Sequence, residues 1–248
     1  MTRFTVLPDP SAVAIATADR FVATVGQAVD EHGVARVALS GGSTPKRVYP
    51  LLLDPARRDA VDWSRVEFVW GDERAVPPDH PESNFGAAYG MLLSQLRDVR
   101  ADRIHRMPAE AHDLDAAALS HESELRFAFG VRAGDLPAFD LIWLGMGPDG
   151  HTASLFPGSA ALDERHRRVL PVLSSKPPAE RLTITPPVIE AARKLAVIAT
   201  GEDKALMVAR AIEGPFAPKA VPVQLARRGC WFLDQAAAAR LSARRVAT

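Results

Sequence analysis

Val34-Ala35-Arg36-Val37-Ala38-Leu39-Ser40-Gly41-Gly42-Ser43-Thr44-Pro45-Lys46 joins a short apolar, β-branched run to a glycine-serine turn and then to the start of a helix. VARVALS (34–40) is nearly continuous in apolar residues, the mark of a strand covered on both faces. Thr44 suits a helix cap and Pro45 the first helical position. The pattern recurs outward from this stretch in VEFVW (66–70), FDLIWLG (139–145), RLTIT (181–185) and LAVIATG (195–201), most of which lead into a glycine-containing loop or a helix. Upstream, Asp9-Pro10 reads as a cap and first helical residue, and Val13, Ala16, Phe21, Val25 and Val29 follow a helical period until Gly33 stops it. Further helices are expected over residues 46–53, 84–96, 114–129, 187–194, 204–212 and 235–243. Strands alternating with helices imply parallel β-α units. The expected fold is therefore α/β: a doubly wound, mostly parallel sheet with helices on both faces, modified Rossmann-like, with ligands at the carboxyl ends of the strands.

Composition narrows the class. The 248 residues carry 30 Lys+Arg against 30 Asp+Glu, a formal net charge of zero. That balance argues against a general nucleic-acid or membrane-surface binder, which relies on basic excess. A chain of this size buries roughly 72% of its surface on folding, enough for one core without staples, and a single domain over 1–248 is expected. The lone cysteine, Cys230, excludes an internal disulfide framework and a multi-cysteine zinc site. The N-terminal stretch MTRFTVLPDPSAVA has no long apolar core of a secretory signal, and no uninterrupted apolar run approaches the ~18 residues of a membrane span. A cytoplasmic protein is the expectation.

Four loops after strands carry the chemistry. Ser40, Gly41, Gly42, Ser43 and Thr44 combine backbone N–H groups freed by glycine, hydroxyl donors and a helix N-terminus; such a turn binds phosphate or is an ordinary strand-to-helix connection, and the residues alone admit both. It is not a Walker loop, because the Lys-Ser/Thr pair is missing. Gly71-Asp72-Glu73-Arg74 sets two carboxylates and a guanidinium after a buried strand, either as an ion network or as part of a site. Gly145-Met146-Gly147-Pro148-Asp149-Gly150-His151-Thr152 contains G-x-G-x-x-G, but Pro148 in the turn and Pro157 seven residues past Gly150 leave no room for a dinucleotide-binding helix. What remains is Asp149 beside His151, an imidazole suited to take a proton near neutral pH with a carboxylate to orient it. The other six histidines have no comparable setting, and His121-Glu122-Ser123-Glu124-Leu125 ends in Leu, so it is not H-E-x-x-H. Gly201-Glu202-Asp203-Lys204 offers a lysine that can reach an anion at the same sheet edge or remain solvated; Arg181 is a weaker candidate for that role. With no G-x-S-x-G element, a serine-hydrolase elbow is excluded.

Taken in order, Ser40 to Pro45, Asp72-Glu73-Arg74, Ser83-Asn84, GMGPDGHTASLFPG (145–158) and Gly201-Glu202-Asp203-Lys204-Ala205 resemble the 6-phosphogluconolactonases. The resemblance spans nearly the whole chain and is most specific around His151. It implies hydrolysis of 6-phospho-D-glucono-1,5-lactone to 6-phosphogluconate, the second step of the oxidative pentose phosphate pathway, and a sheet related to that of the glucosamine-6-phosphate deaminases. It assigns His151 as the general base that activates water, with Asp149 orienting it. Arg74 and loop N–H groups stabilise the oxyanion and hold sugar hydroxyls, the Ser40 to Thr44 turn and Lys204 hold the phosphate, and Asp72 and Asn84 contact the sugar. A δ-lactone is a reactive ester, so positioning and one base suffice without a metal, a cofactor or a covalent nucleophile. The implied partner is a small sugar-phosphate lactone, with no nucleic acid and no membrane, the chain acting as a monomer or weak homodimer.

Two alternatives stand beside this. The deaminases carry Phe-Asn-Glu after their Asp-Gly-His, where this chain reads Thr152-Ala153-Ser154-Leu155-Phe156-Pro157, and usually a Tyr where Arg74 stands. A non-catalytic sugar-phosphate regulator usually carries a further DNA-binding or partner domain, for which this length has no room.

Overall fold

The computed structural model describes residues 2–132 and 134–242. Ten strands follow along the described chain: β1 (Arg3–Leu7), β2 (Ala35–Leu39), β3 (Val66–Trp70), β4 (Asp72–Arg74), β5 (Ile104–His105), β6 (Leu141–Gly145), β7 (Val169–Leu173), β8 (Glu180–Ile184), β9 (Leu195–Ala199) and β10 (Cys230–Asp234). Between them lie α1 (Pro10–His32), α2 (Ser43–Leu51), α3 (Pro55–Arg58), α4 (Asn84–Met91), α5 (Leu114–Ala128), α6 (Pro186–Ala191) and α7 (Ala205–Glu213). Seven strands form the main sheet in the order β1-β10-β9-β6-β2-β3-β5, every pairing parallel.

Alternation along the strands explains why the sheet needs cover on both sides. In β6, Leu141 and Trp143 belong to one apolar cluster and Ile142 and Leu144 to the other. The first cluster packs the sheet against α1, α2 and α4, and the second against α5, α6 and α7. α1 is capped by Asp9, whose carboxylate accepts from the N–H groups of Ser11 and Ala12, and it stops at Gly33 with φ +76°. It is long and apolar enough to cross a membrane by length and composition alone. Val13, Ala14, Ala18, Phe21 and Val25 are instead buried against the sheet, with the Phe21 ring 5.1 Å from that of Trp143, so α1 is a core helix. Removing a buried aromatic such as Phe21 typically costs ~3–5 kcal/mol.

Several sequence expectations need correction. RLTIT does not join the parallel sheet: as β8 it forms a separate antiparallel sheet, β4-β8-β7. The reason is local, because the chain turns back over residues 174–179, closed by the Ser174 N–H donating to Ala179 O at 2.7 Å, and a hairpin return pairs antiparallel. Residues 235–242 form turns rather than the expected helix, the Asp234 carboxylate taking the Ala237 N–H at 2.7 Å; Ala243 lies outside the described residues. The helix expected over 84–96 ends at Met91, where Leu92 leaves helical geometry with φ −137°. Thr44 is not the cap of α2, since Gly42, at φ +101°, holds that position and Thr44 sits inside the first turn.

Candidate active site

The chain leaves β2 toward β3 and β5 on one side of the sheet and leaves β6 toward β9 and β10 on the other, so the loops after β2 and β6 diverge and open a crevice at the switch point. A cavity of about 170 Å³ occupies it, lined by Ser40, Gly41, Gly42, Ser43, Thr44 and Pro45 after β2, Gly145, Met146, Gly147, His151 and Ala153 after β6, Asp72 and Arg74 on β4, Arg181 on β8, Ile198 on β9, and Lys204. The small sheet thus acts as one wall, and its register sets Arg74 directly opposite Arg181.

The loop after β6 is built around its imidazole. Asp149 Oδ1 accepts from the His151 backbone N–H at 3.2 Å and lies 2.5 Å from Nδ1. Burial pushes the Asp149 carboxyl up, but the His151 charge and the hydrogen bonds from that residue outweigh it and leave the carboxyl below its ordinary range. An ionised carboxylate can only accept, so in the neutral imidazole Nδ1 carries the proton and Nε2 keeps its lone pair. Gly147 is obligatory here, because a Cβ would stand 2.1 Å from His151 Cε1 and 2.6 Å from Asp149 Oδ1. Gly150 completes the turn at φ +86°, while the Thr152 hydroxyl donates to Gly145 O at 2.8 Å and ties the loop back to its strand.

Across the cavity, α2 begins without a side-chain cap, which leaves its first N–H groups open to an anion. Tyr49 holds this turn from below, its hydroxyl donating to Ser40 O at 2.8 Å; burial keeps that phenol neutral by pushing its pKa up. Thr200 joins two parts of the cradle, with its hydroxyl 3.1 Å from that of Thr44 and its carbonyl accepting from Lys204 Nζ at 3.2 Å.

The charges on the small-sheet wall are only partly paired. Arg74 donates from Nη1 to Glu82 O at 2.8 Å and lies 3.5 Å from that residue's exposed carboxylate, while its buried Nε has no partner. Arg181 is 7% exposed, hydrogen-bonds only to the carbonyls of Pro178 and Lys176, lies 5.8 Å from the Phe156 ring centre, and has no carboxylate within ion-pair distance among the described residues. Burial, then the nearby Arg74 charge, holds its guanidinium below the ordinary range. Glu73, by contrast, is consumed by structure: it accepts from the N–H groups of Arg74, Asn84 and Phe85 and from the Ser83 hydroxyl, anchoring the start of α4. Burial pushes its carboxyl up against those hydrogen bonds. Among the described residues, no group of three His, Cys, Asp or Glu side chains could hold a metal ion.

Eleven of the residues singled out from the sequence, Ser40, Gly41, Gly42, Ser43, Thr44, Asp72, Arg74, Asp149, His151, Arg181 and Lys204, meet at this cleft, Asp149 standing behind the imidazole. Asn84 is placed differently. It is buried beneath Gly41, where a Cβ would fall 1.8 Å from Asn84 Oδ1, and its amide donates to Asp72 O at 2.9 Å and to Oδ1 at 3.3 Å. Sequence reasoning passed over Tyr49, Thr200 and Ser154. Each adjoins a recognised motif, and a polar residue neighbouring a glycine-rich loop is the signal that would have found them.

The family model described as Glucosamine-6-phosphate isomerases/6-phosphogluconolactonase matches residues 8–233, and the chain belongs to that family. The 6-phosphogluconolactonase of Synechocystis sp. is 41% identical over 224 residues, covering 88% of this chain and 89% of that protein. The solved 6-phosphogluconolactonase from Leishmania guyanensis superposes with a TM-score of 0.85 at 30% identity, covering 98% of this chain and 100% of that one. A monomeric glucosamine-6-phosphate deaminase superposes with a TM-score of 0.79 at 21% identity over 96% of this chain and 99% of that one, a likeness of fold alone. Within the family, the chain is a hydrolase of the 6-phosphogluconolactonase type.

Proposed function

We propose that this enzyme hydrolyses 6-phospho-D-glucono-1,5-lactone to 6-phosphogluconate, serving the oxidative pentose phosphate pathway, with His151 as general base. Nε2 takes a proton from water as the oxygen attacks C1. The charge that develops on the carbonyl oxygen is met by Arg74, which lines the cleft, and by loop N–H groups. The C1–O5 bond then breaks, O5 receives the proton from the imidazolium, and ionisation of the new acid releases one proton per turnover. The Ser40 to Thr44 turn and Lys204 hold the phosphate, Arg181 adds a buried cation, and Asp72 accepts from the sugar hydroxyls.

One observation supports this reading above the others: a carboxylate-braced imidazole and an uncapped helix start with a lysine line the same small cavity. Freshly generated lactone should release acid well above the spontaneous rate when the enzyme is added. Glucosamine 6-phosphate should yield no ammonia under the same conditions; substantial ammonia would replace this reading with the deaminase one.

A further inference from the structure

Asp72 lines the cleft on the same small sheet as Arg74 and Arg181, yet among the described residues it forms an ion pair with neither. Its carboxylate is held instead by neutral donors. The Ser154 hydroxyl donates to Oδ2 at 2.7 Å and the Asn84 amide to Oδ1 at 3.3 Å. Ser154 is 0% exposed and 82 residues away in sequence, and its backbone N–H is fixed in turn by Thr183 Oγ1 at 3.1 Å. The residue before it, Ala153, has φ +47°, the one positive φ outside glycine among the described residues. Backbone outliers of this kind gather where a site over-determines its geometry. Here the kink lets His151 and Ala153 face the cleft while Ser154 reaches Asp72.

We infer that Ser154 is a positioning residue: its hydroxyl, with Asn84, fixes the Asp72 carboxylate as an acceptor for the ring hydroxyls of the sugar phosphate. A carboxylate left free beside two guanidiniums swings to pair with them, which removes the acceptor and the cations from the ligand together. A clamp of neutral donors keeps all three available. This inference rests on the lactonase reading and deepens it.

Steady-state kinetics on the lactone and inhibition by 6-phosphogluconate test the clamp. Ser154→Ala should lower kcat/KM about tenfold, the size of one lost hydrogen bond to a charged group. Almost all of the loss should appear in KM and in the inhibition constant, with kcat within about threefold of wild type. Ser154→Cys keeps the shape but replaces a good donor by a weak one, so it should behave like Ala, whereas Ser154→Thr should recover most of the affinity. In an Asp72→Asn background, Ser154→Ala should add less than about twofold, because the two act as one unit. Wild-type affinity in the Ser154→Cys variant, or additive losses in the double variant, would overturn the clamp while leaving the lactonase intact. A normal KM in Asp72→Asn removes the acceptor role, and the clamp with it. Absence of lactone turnover by the wild type overturns the functional reading and the inference together.

Discussion

The two ends of the parallel strands handle buried charge in opposite ways. At the amino ends, Arg36 lies 3.3 Å from Glu67, Arg103 is 3.5 Å from the same carboxylate, and Arg193 is 2.9 Å from Asp140, which also accepts the Arg36 backbone N–H at 2.9 Å. Each cation there has its carboxylate. At the carboxyl ends, Arg181 hydrogen-bonds only to carbonyls, Lys204 rests on the Thr200 carbonyl, and Arg74 lies 3.5 Å from the exposed carboxylate of Glu82 while its Nε has no partner. Charges that complete each other hold the fold together; charges left open at the switch point await a ligand.

Substitutions at the two ends should therefore differ in kind. The largest effect is expected from Gly147→Ala, whose methyl must displace the His151 ring or Asp149 and should cut lactone turnover at least ~100-fold, a general base being worth about that much. Near-normal turnover in that variant would show that the braced imidazole is not required. Lys204→Ala should raise the inhibition constant of 6-phosphogluconate by roughly 10- to 150-fold, the equivalent of ~1.5–3 kcal/mol for a charge-assisted contact. An unchanged constant would show that Lys204 does not touch the phosphate. Glu67→Gln, at the opposite end, should lower stability by about 1–3 kcal/mol in denaturant unfolding, below the full cost of breaking a deeply buried pair because its cations are partly exposed. Its kcat/KM, per folded molecule, should stay at the wild-type value, and a large kinetic defect would erase the division between the two ends.

The contrast also explains what the sequence made legible. The central strands were readable because burial on both faces leaves continuous apolar runs such as LAVIA (195–199), and the loops behind them were readable because glycine, hydroxyl and charged residues break those runs abruptly. β1 and β10 lie toward the edge of the sheet or on it, and their short RFTVL and CWFLD stretches give weaker signals. The three-stranded wall was hidden more thoroughly. β4 is the charged tripeptide Asp72–Arg74, β7 contains Pro171, and only their pairing with β8 makes either a strand. At the site, the residues facing the ligand carried their own chemistry in their names. Ser154 and Thr200 work by holding other residues, across 82 and 156 positions, and although their place beside glycine-rich loops marks them, the partners they hold cannot be read along a chain.

The most direct test of the central claim is a paired measurement on His151→Ala: acid release from fresh lactone, corrected for the spontaneous rate, and equilibrium binding of 6-phosphogluconate. The cleft described here predicts a turnover loss of at least ~100-fold with the fold and product binding retained. Undiminished turnover would contradict it, because the imidazole would then be doing no chemistry on the lactone.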